Sequence, residues 1–230
     1  LLGGVLAEAF GMRMSFYIGG LALFINFLAF TFIIKEPPMP ADTEPLSKEE
    51  QSPWHLWHIP ILRTMMIVST LAQMVTFILM PVITTYIKYL AGAMENIVLA
   101  AGVVFSLGGI AGAIAAPLWG LFGTRRSYFV SMCLAMSLAG TMLSLQGIPE
   151  TLMPFAAMQF GVGLFMAGVQ PSLNAVIAQH TPARLKGSVF GMLFAAQQVG
   201  GFTGPLLGGV VATYLGMHYL FPTAGSILLM

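Results

Sequence analysis

The chain has 230 residues, of which 57% are apolar and only 7% charged. A soluble domain carries roughly 25% charged residues, so composition excludes a water-soluble globular protein over most of the length. The formal net charge of +1 carries no separate message, and no nucleic-acid partner is expected.

The eight acids and nine bases fall in short islands. Between them run uncharged stretches, each long enough for the ~20 residues that a helix needs to cross a bilayer. In chain order they predict six complete membrane helices near 14–34, 62–87, 96–121, 127–147, 151–179 and 187–214. The end of one helix precedes them and the start of another follows. The expected fold class is therefore all-α membrane protein.

The chain also repeats itself. Leu1 to Gly20 reads LLGGVLAEAFGMRMSFYIGG, and Leu206 to Gly225 reads LLGGVVATYLGMHYLFPTAG. Ten of these twenty positions are identical at an offset of 205. Membrane transporters are often built from such repeats. The repeat predicts two related halves, and a break at Gly216-Met217-His218 to match Gly11-Met12-Arg13.

The loops set the orientation. Arg13, Lys88, Glu95, Glu150 and His218 collect on one side. Lys35, Lys48, Arg63, Arg125, Arg126, Arg184 and Lys186 collect on the other, seven bases against two. Short loops rich in Lys and Arg stay in the cytoplasm. The segment 35–60 carries six prolines and the run Lys48-Glu49-Glu50, and reads as a cytoplasmic linker. Trp54-His55-Leu56-Trp57-His58 after it reads as an interfacial anchor. His55 and His58 could share a helix face, but a metal site needs further ligands, and none is expected. The lone Cys133 lies mid-helix and reads as packing.

Within the helix 187–214, Gly200, Gly204 and Gly208 are four apart. Such a stripe lets helices approach closely. Pro205 removes a backbone hydrogen bond and predicts a local bend. Gly191 is expected close to the same stripe, and Gly108 with Gly112 suggests a similar contact.

These features together resemble the major facilitator superfamily. The two halves of about 205 residues, the linker, the ending Leu1-Leu2-Gly3-Gly4 and the spacing of Gly191, Gly200, Gly204, Pro205, Gly208 and Gly209 are similar to its bacterial drug-efflux members. The resemblance implies the end of helix 5 and helix 6 in 1–34, the linker in 35–60, and helices 7 to 12, the last truncated, in 61–230. It implies an inverted pseudo-repeat relating helices 7–9 to helices 10–12. The basic loop of the family is echoed by Gly120 to Arg126, which is shorter and lacks the acid. Arg125 and Arg126 therefore read as plain cytoplasmic anchors.

Polar residues inside the crossings are costly in lipid and tend to face the bundle interior. They are Asn26, Gln73, Thr76, Gln159, Gln170, Asn174, Gln197 and Gln198. In the resembled fold helices 7, 8, 10 and 11 line the cavity. This keeps Gln73 and Thr76, Gln170 and Asn174, and Gln197 or Gln198, with Phe77 and Phe194 among the apolar lining. Gln170 and Asn174 share a helix face, and Pro171 lies between them. Each polar residue has a plainer reading, a hydrogen bond between helices.

No Asp, Glu, Lys or Arg falls inside a complete crossing. Proton coupling needs a titrating group in the membrane, so it is expected in an N-terminal half outside this chain. No nucleophile–base pair or phosphate loop points to an enzyme, and no cofactor is expected. The resemblance implies proton-coupled efflux of lipophilic or amphipathic compounds across the plasma membrane. A carrier for a small metabolite such as a sugar, and a non-transporting sensor, are the alternatives.

Overall fold

The computed structural model describes residues 2–33, 57–92 and 97–230, and every element among them is helical. A bilayer has no water to satisfy exposed backbone groups, so an apolar chain in lipid closes its hydrogen bonds within helices. The elements are α1 (Leu2–Ile33), α2 (Pro60–Ile78), α3 (Met80–Ala91), α4 (Ile97–Arg125), α5 (Tyr128–Leu145), α6 (Leu152–His180), α7 (Lys186–Tyr214) and α8 (Leu220–Leu229). Short 3-10 turns at Ala183–Leu185 and Met217–Tyr219 lead into α7 and α8.

The chain divides into two compact units, Leu1–Pro45 and Leu46–Met230. The described part of the first unit is α1. It contains a break at Gly11, with φ 80° and ψ 160°. Gly216, 205 residues on, adopts φ 102° and ψ 157° between α7 and the next turn. Both sit in a region that residues with a Cβ avoid, and both fall at the repeated Gly-Met step. The repeat read in the sequence is thus matched by the same backbone solution at both copies.

In the second unit α2 packs along α7, α4 along α6, and α5 against both α6 and α8. The core lies between these pairs. One end is filled by Leu62, Met66, Leu173 and Val189, the middle by Ala72, Val75, Ala139 and Val169, and the other end by Tyr86, Phe155 and Phe221. Apolar side chains such as Leu118 and Met153 cover outer faces, as lipid contact requires. Ser127 opens α5 by accepting a hydrogen bond from the Phe129 N–H at 3.3 Å.

Two features differ from expectation. The stretch 62–87 is interrupted: α2 ends at Ile78, Leu79 stands between, and α3 starts at Met80 with Pro81 in its first turn. Pro81 has no N–H to continue the helix behind it, and it suits a first turn. Pro117, Pro171 and Pro205, in contrast, lie inside unbroken helices. The bend expected at Pro205 thus has no counterpart in a break of α7. Second, five stretches among the described residues are long and apolar enough to cross a membrane: Arg13–Ile33, Pro60–Leu90, Ala100–Arg125, Tyr128–Leu145 and Leu152–His180. The sixth expected crossing forms a 29-residue helix, α7, but its seven glycines and paired glutamines dilute its apolarity. Most of the expected linker, and Trp54 to Leu56, lie outside the described residues.

Candidate functional site

The α2–α7 seam is the frame of the site. A Cβ on Gly204 would lie 2.6 Å from the Met74 carbonyl oxygen and 3.2 Å from the Phe77 Cβ. A Cβ on Gly200 would overlap the Thr70 carbonyl oxygen, and one on Gly208 the Ile78 carbonyl oxygen. Three glycines of α7 thus rest on three successive turns of α2 backbone. The Thr70 hydroxyl reinforces the seam, its one proton shared between the Ala196 carbonyl of α7 at 3.0 Å and the Met66 carbonyl of its own helix at 2.9 Å. Gly191 and Gly209 stand apart from it, since a Cβ on either would meet nothing within 4 Å. Pro205 is half-buried beside the seam.

Gln73 and Phe77 flank this contact. The Gln73 Cβ lies 3.1 Å from a Cβ placed on Gly200, and the Phe77 ring lies 3.9 Å from one on Gly201. Gln197 stands one helical turn before Gly201 and so shares this side of α7. Its Nε2 donates to the Gln170 Oε1 of α6 at 3.4 Å, a long bond. Gln73, Phe77, Gln170 and Gln197 are all half-buried. The structure therefore sets Gln73 and Phe77 of α2 against α7, and α7 reaches α6 through the Gln197–Gln170 amides. Asn174 is exposed one turn beyond Gln170. Gln198 and Phe194 are exposed on α7, Phe194 at 63%. Arg125 ends α4 and Arg126 follows it, both exposed.

A second close approach joins α4 to α6. A Cβ on Gly163 would overlap the Gly108 carbonyl oxygen, and one on Gly112 would lie 3.7 Å from the Gly163 carbonyl oxygen. Beside it, where α2 gives way to α3, lies a cavity of about 310 Å³. Thr76 reaches this cavity, as does Gln159 of α6. The Thr76 hydroxyl donates to the Ala72 carbonyl at 2.9 Å.

One further polar pair lies beside this cavity. Gln146, at the end of α5, is fully buried and donates from Nε2 to the Gln159 Oε1 at 2.5 Å. Gln159 stands among the intramembrane polar residues, but its partner reads as an ordinary helix end. The available signal was a polar side chain on each side of a short turn. Ser172 and Ser131 form a further buried bond at 3.0 Å between α6 and α5. The Trp119 indole N–H donates to the Leu164 carbonyl at 2.8 Å, and its ring fills the space above Gly168. Among the described residues no group of three His, Cys, Asp or Glu could hold a metal.

The family model described as Major Facilitator Superfamily matches residues 1–145 and also 65–230. Among curated proteins, the chain is 28% identical over 221 residues to "Multidrug resistance protein MdtG" of Proteus mirabilis (strain HI4320). That match covers 96% of this chain and 55% of the relative. Proteins of the same name from Salmonella paratyphi B and Salmonella newport are 26% identical over 229 residues, covering 99% of this chain and 57% of theirs. The chain thus spans somewhat more than half the length of the curated relatives it matches.

Proposed function

This chain belongs to the Major Facilitator Superfamily, and we propose that its residues 61–230 form the C-terminal half, and 1–34 the end of the N-terminal half, of a secondary transporter exporting small lipophilic compounds. The half works by alternating access together with an N-terminal half, and protons drive the exchange through an acid of that other half. Its place is the plasma membrane. The similar proteins named as multidrug resistance proteins support drug-like compounds as the substrate class.

The observation that carries the proposal is the uncharged meeting of Gln197 and Gln170 beside Gln73 and Phe77. Amides can donate and accept, so they orient a substrate without demanding a charge. An aromatic ring supplies adaptable apolar contact. A strongly anionic or cationic solute would find no counter-charge among these side chains and would lose its hydration uncompensated. The seam beneath them is rigid because backbone meets backbone, which suits a half that rocks as a body.

The test is efflux by the full-length protein in sealed vesicles with an imposed proton gradient. Several uncharged or amphipathic dyes are compared with a sugar. Gradient-dependent movement of the dyes, abolished by an uncoupler, is expected. Sugar movement without dye movement would overturn the substrate class, and dye movement indifferent to the uncoupler would overturn the coupling.

A further inference from the structure

We propose that the cavity at the α2–α3 break is a binding subsite for an uncharged, mainly apolar molecule with one hydrogen-bond acceptor, held by the side-chain amide of Gln159. Its role as a substrate subsite rests on the transport reading above. The binding itself does not, and it is tested apart from transport.

The cavity has a local origin. α2 stops at Ile78, and α3 resumes at Met80. Opposite the break, α4 presents Gly108 and Gly109, and α6 presents Gln159, Gly163 and Met166. A Cβ on Gly109 would meet nothing within 4 Å, so this glycine opens space and does not serve a helix contact. Gly108 is different: its missing side chain admits the Gln159 amide, whose Nε2 lies 3.3 Å from a Cβ placed there. The volume of about 310 Å³ falls at the small end of ligand pockets, which run roughly 300–1,000 Å³.

The polar chemistry is narrow and directional. The polar side chains of the lining are Thr76 and Gln159, and no lining residue is charged. The Thr76 hydroxyl proton is committed to the Ala72 carbonyl, so Thr76 offers a ligand lone pairs only. The Gln159 Oε1 is occupied by Gln146. That oxygen keeps a second lone pair, and the Gln159 Nε2–H pair makes no hydrogen bond among the described residues. The Gln159 amide is thus the one side-chain donor the lining has to spare, and it is the group that recognises an acceptor on the ligand.

Gln146 explains why the amide is fixed in this sense. It is fully buried, and its Oε1 has no hydrogen-bond partner. An orphaned buried amide oxygen is costly. The helix end could be packed by an apolar residue without that cost. The gain is an oriented Gln159: with its oxygen held by Gln146, its N–H is left for a ligand. Gln159 is the ligand-contacting residue, and Gln146 positions it.

Benzophenone is a suitable probe, being uncharged, apolar but for one carbonyl, and photoreactive toward methionine side chains. The full-length protein in lipid vesicles is irradiated with it, and adducts are mapped by peptide mass spectrometry. Met166 lines the cavity, and Met153, 82% exposed, reports random labelling from lipid. A Met166 to Met153 adduct ratio well above one is expected. Fluorenone, which keeps the carbonyl, should suppress Met166 labelling, and fluorene, which lacks it, should not. Gly109→Leu fills the open space and should abolish Met166 labelling. Gln159→Leu should lower it about fivefold, as loss of one hydrogen bond implies.

A wild-type ratio near one, or labelling that survives Gly109→Leu, overturns the site. Equal competition by fluorene and fluorenone overturns the amide contact, and decides that point even if Gln159→Leu fails to fold. Failure of the transport reading shows separately, as absent dye efflux with these ratios intact.

Discussion

A methyl group on Gly204 would stand 2.6 Å from the carbonyl oxygen of Met74. No Cβ fits at that distance from a backbone atom unless the helices part. Gly200 over Thr70 and Gly208 over Ile78 repeat the relationship. Even alanine is therefore too large at these three positions. Gly204→Ala is expected to destabilise the full-length protein by ~1–3 kcal/mol, the usual cost of overpacking, and to lower efflux. Gly201→Ala and Gly209→Ala, where a Cβ meets only ordinary contact or open space, should match wild type. Thermal unfolding and dye efflux on the three single variants check this. Equal behaviour of Gly204→Ala and Gly209→Ala would refute it.

The Gln197–Gln170 contact should act on selectivity. Hydrogen bonds between membrane helices average ~0.6 kcal/mol, so a lost amide should alter relative efflux of two dyes about threefold. Gln170→Ala and Asn174→Ala should reorder the dyes more than they lower total turnover. Competition efflux with paired dyes is the measurement. An unchanged ranking in both variants would remove these residues from the substrate path.

Gln146 and Gln159 should show strong coupling in stability. Gln146→Leu removes the buried donor to Gln159, and Gln159→Leu strands the buried Gln146. Each single change should cost ~1–3 kcal/mol, while replacing both partners is expected to be nearly neutral. A double-mutant cycle on denaturation of the full-length protein tests this. Additive single and double effects would contradict it.

Pro81 should hold the α2–α3 break open. Pro81→Ala restores an N–H that can reach back one turn and continue the helix. Amide exchange over 79–83 is expected to slow in this variant, with exchange across α5 unchanged. Unaltered exchange at 79–83 would assign the break to the neighbouring helices and not to the proline.

Helix positions were readable in the sequence because membrane burial leaves an apolar stretch few alternatives. The seam was readable in part, because close approach needs small residues at i+4 spacing and Gly200, Gly204 and Gly208 supply them. Which glycines meet a neighbour was not: Gly191 and Gly209 lie in open space, a difference of facing that depends on where α2 sits. The break at Leu79 was hidden for a related reason. Pro81, Pro117, Pro171 and Pro205 look alike in sequence, yet only Pro81 among them begins a helix. The Gln146–Gln159 bond joins residues across a turn, and periodicity along one helix cannot report it. Polarity within an apolar helix singles out Gln170 and Asn174, but it cannot report the contact of Gln170 with Gln197.

The glycine stripe also limits how this unit can move. Three notches on α7 engage three carbonyls on α2, like a short rack. Sliding one helix along the other by less than a full turn would take the three carbonyls of Thr70, Met74 and Ile78 out of register with the three glycines. The two helices must then travel as one lever. Any swing of the bundle is borne by weaker joints, of which the Leu79 interruption, just where the rack ends at Ile78, is the first candidate for a pivot.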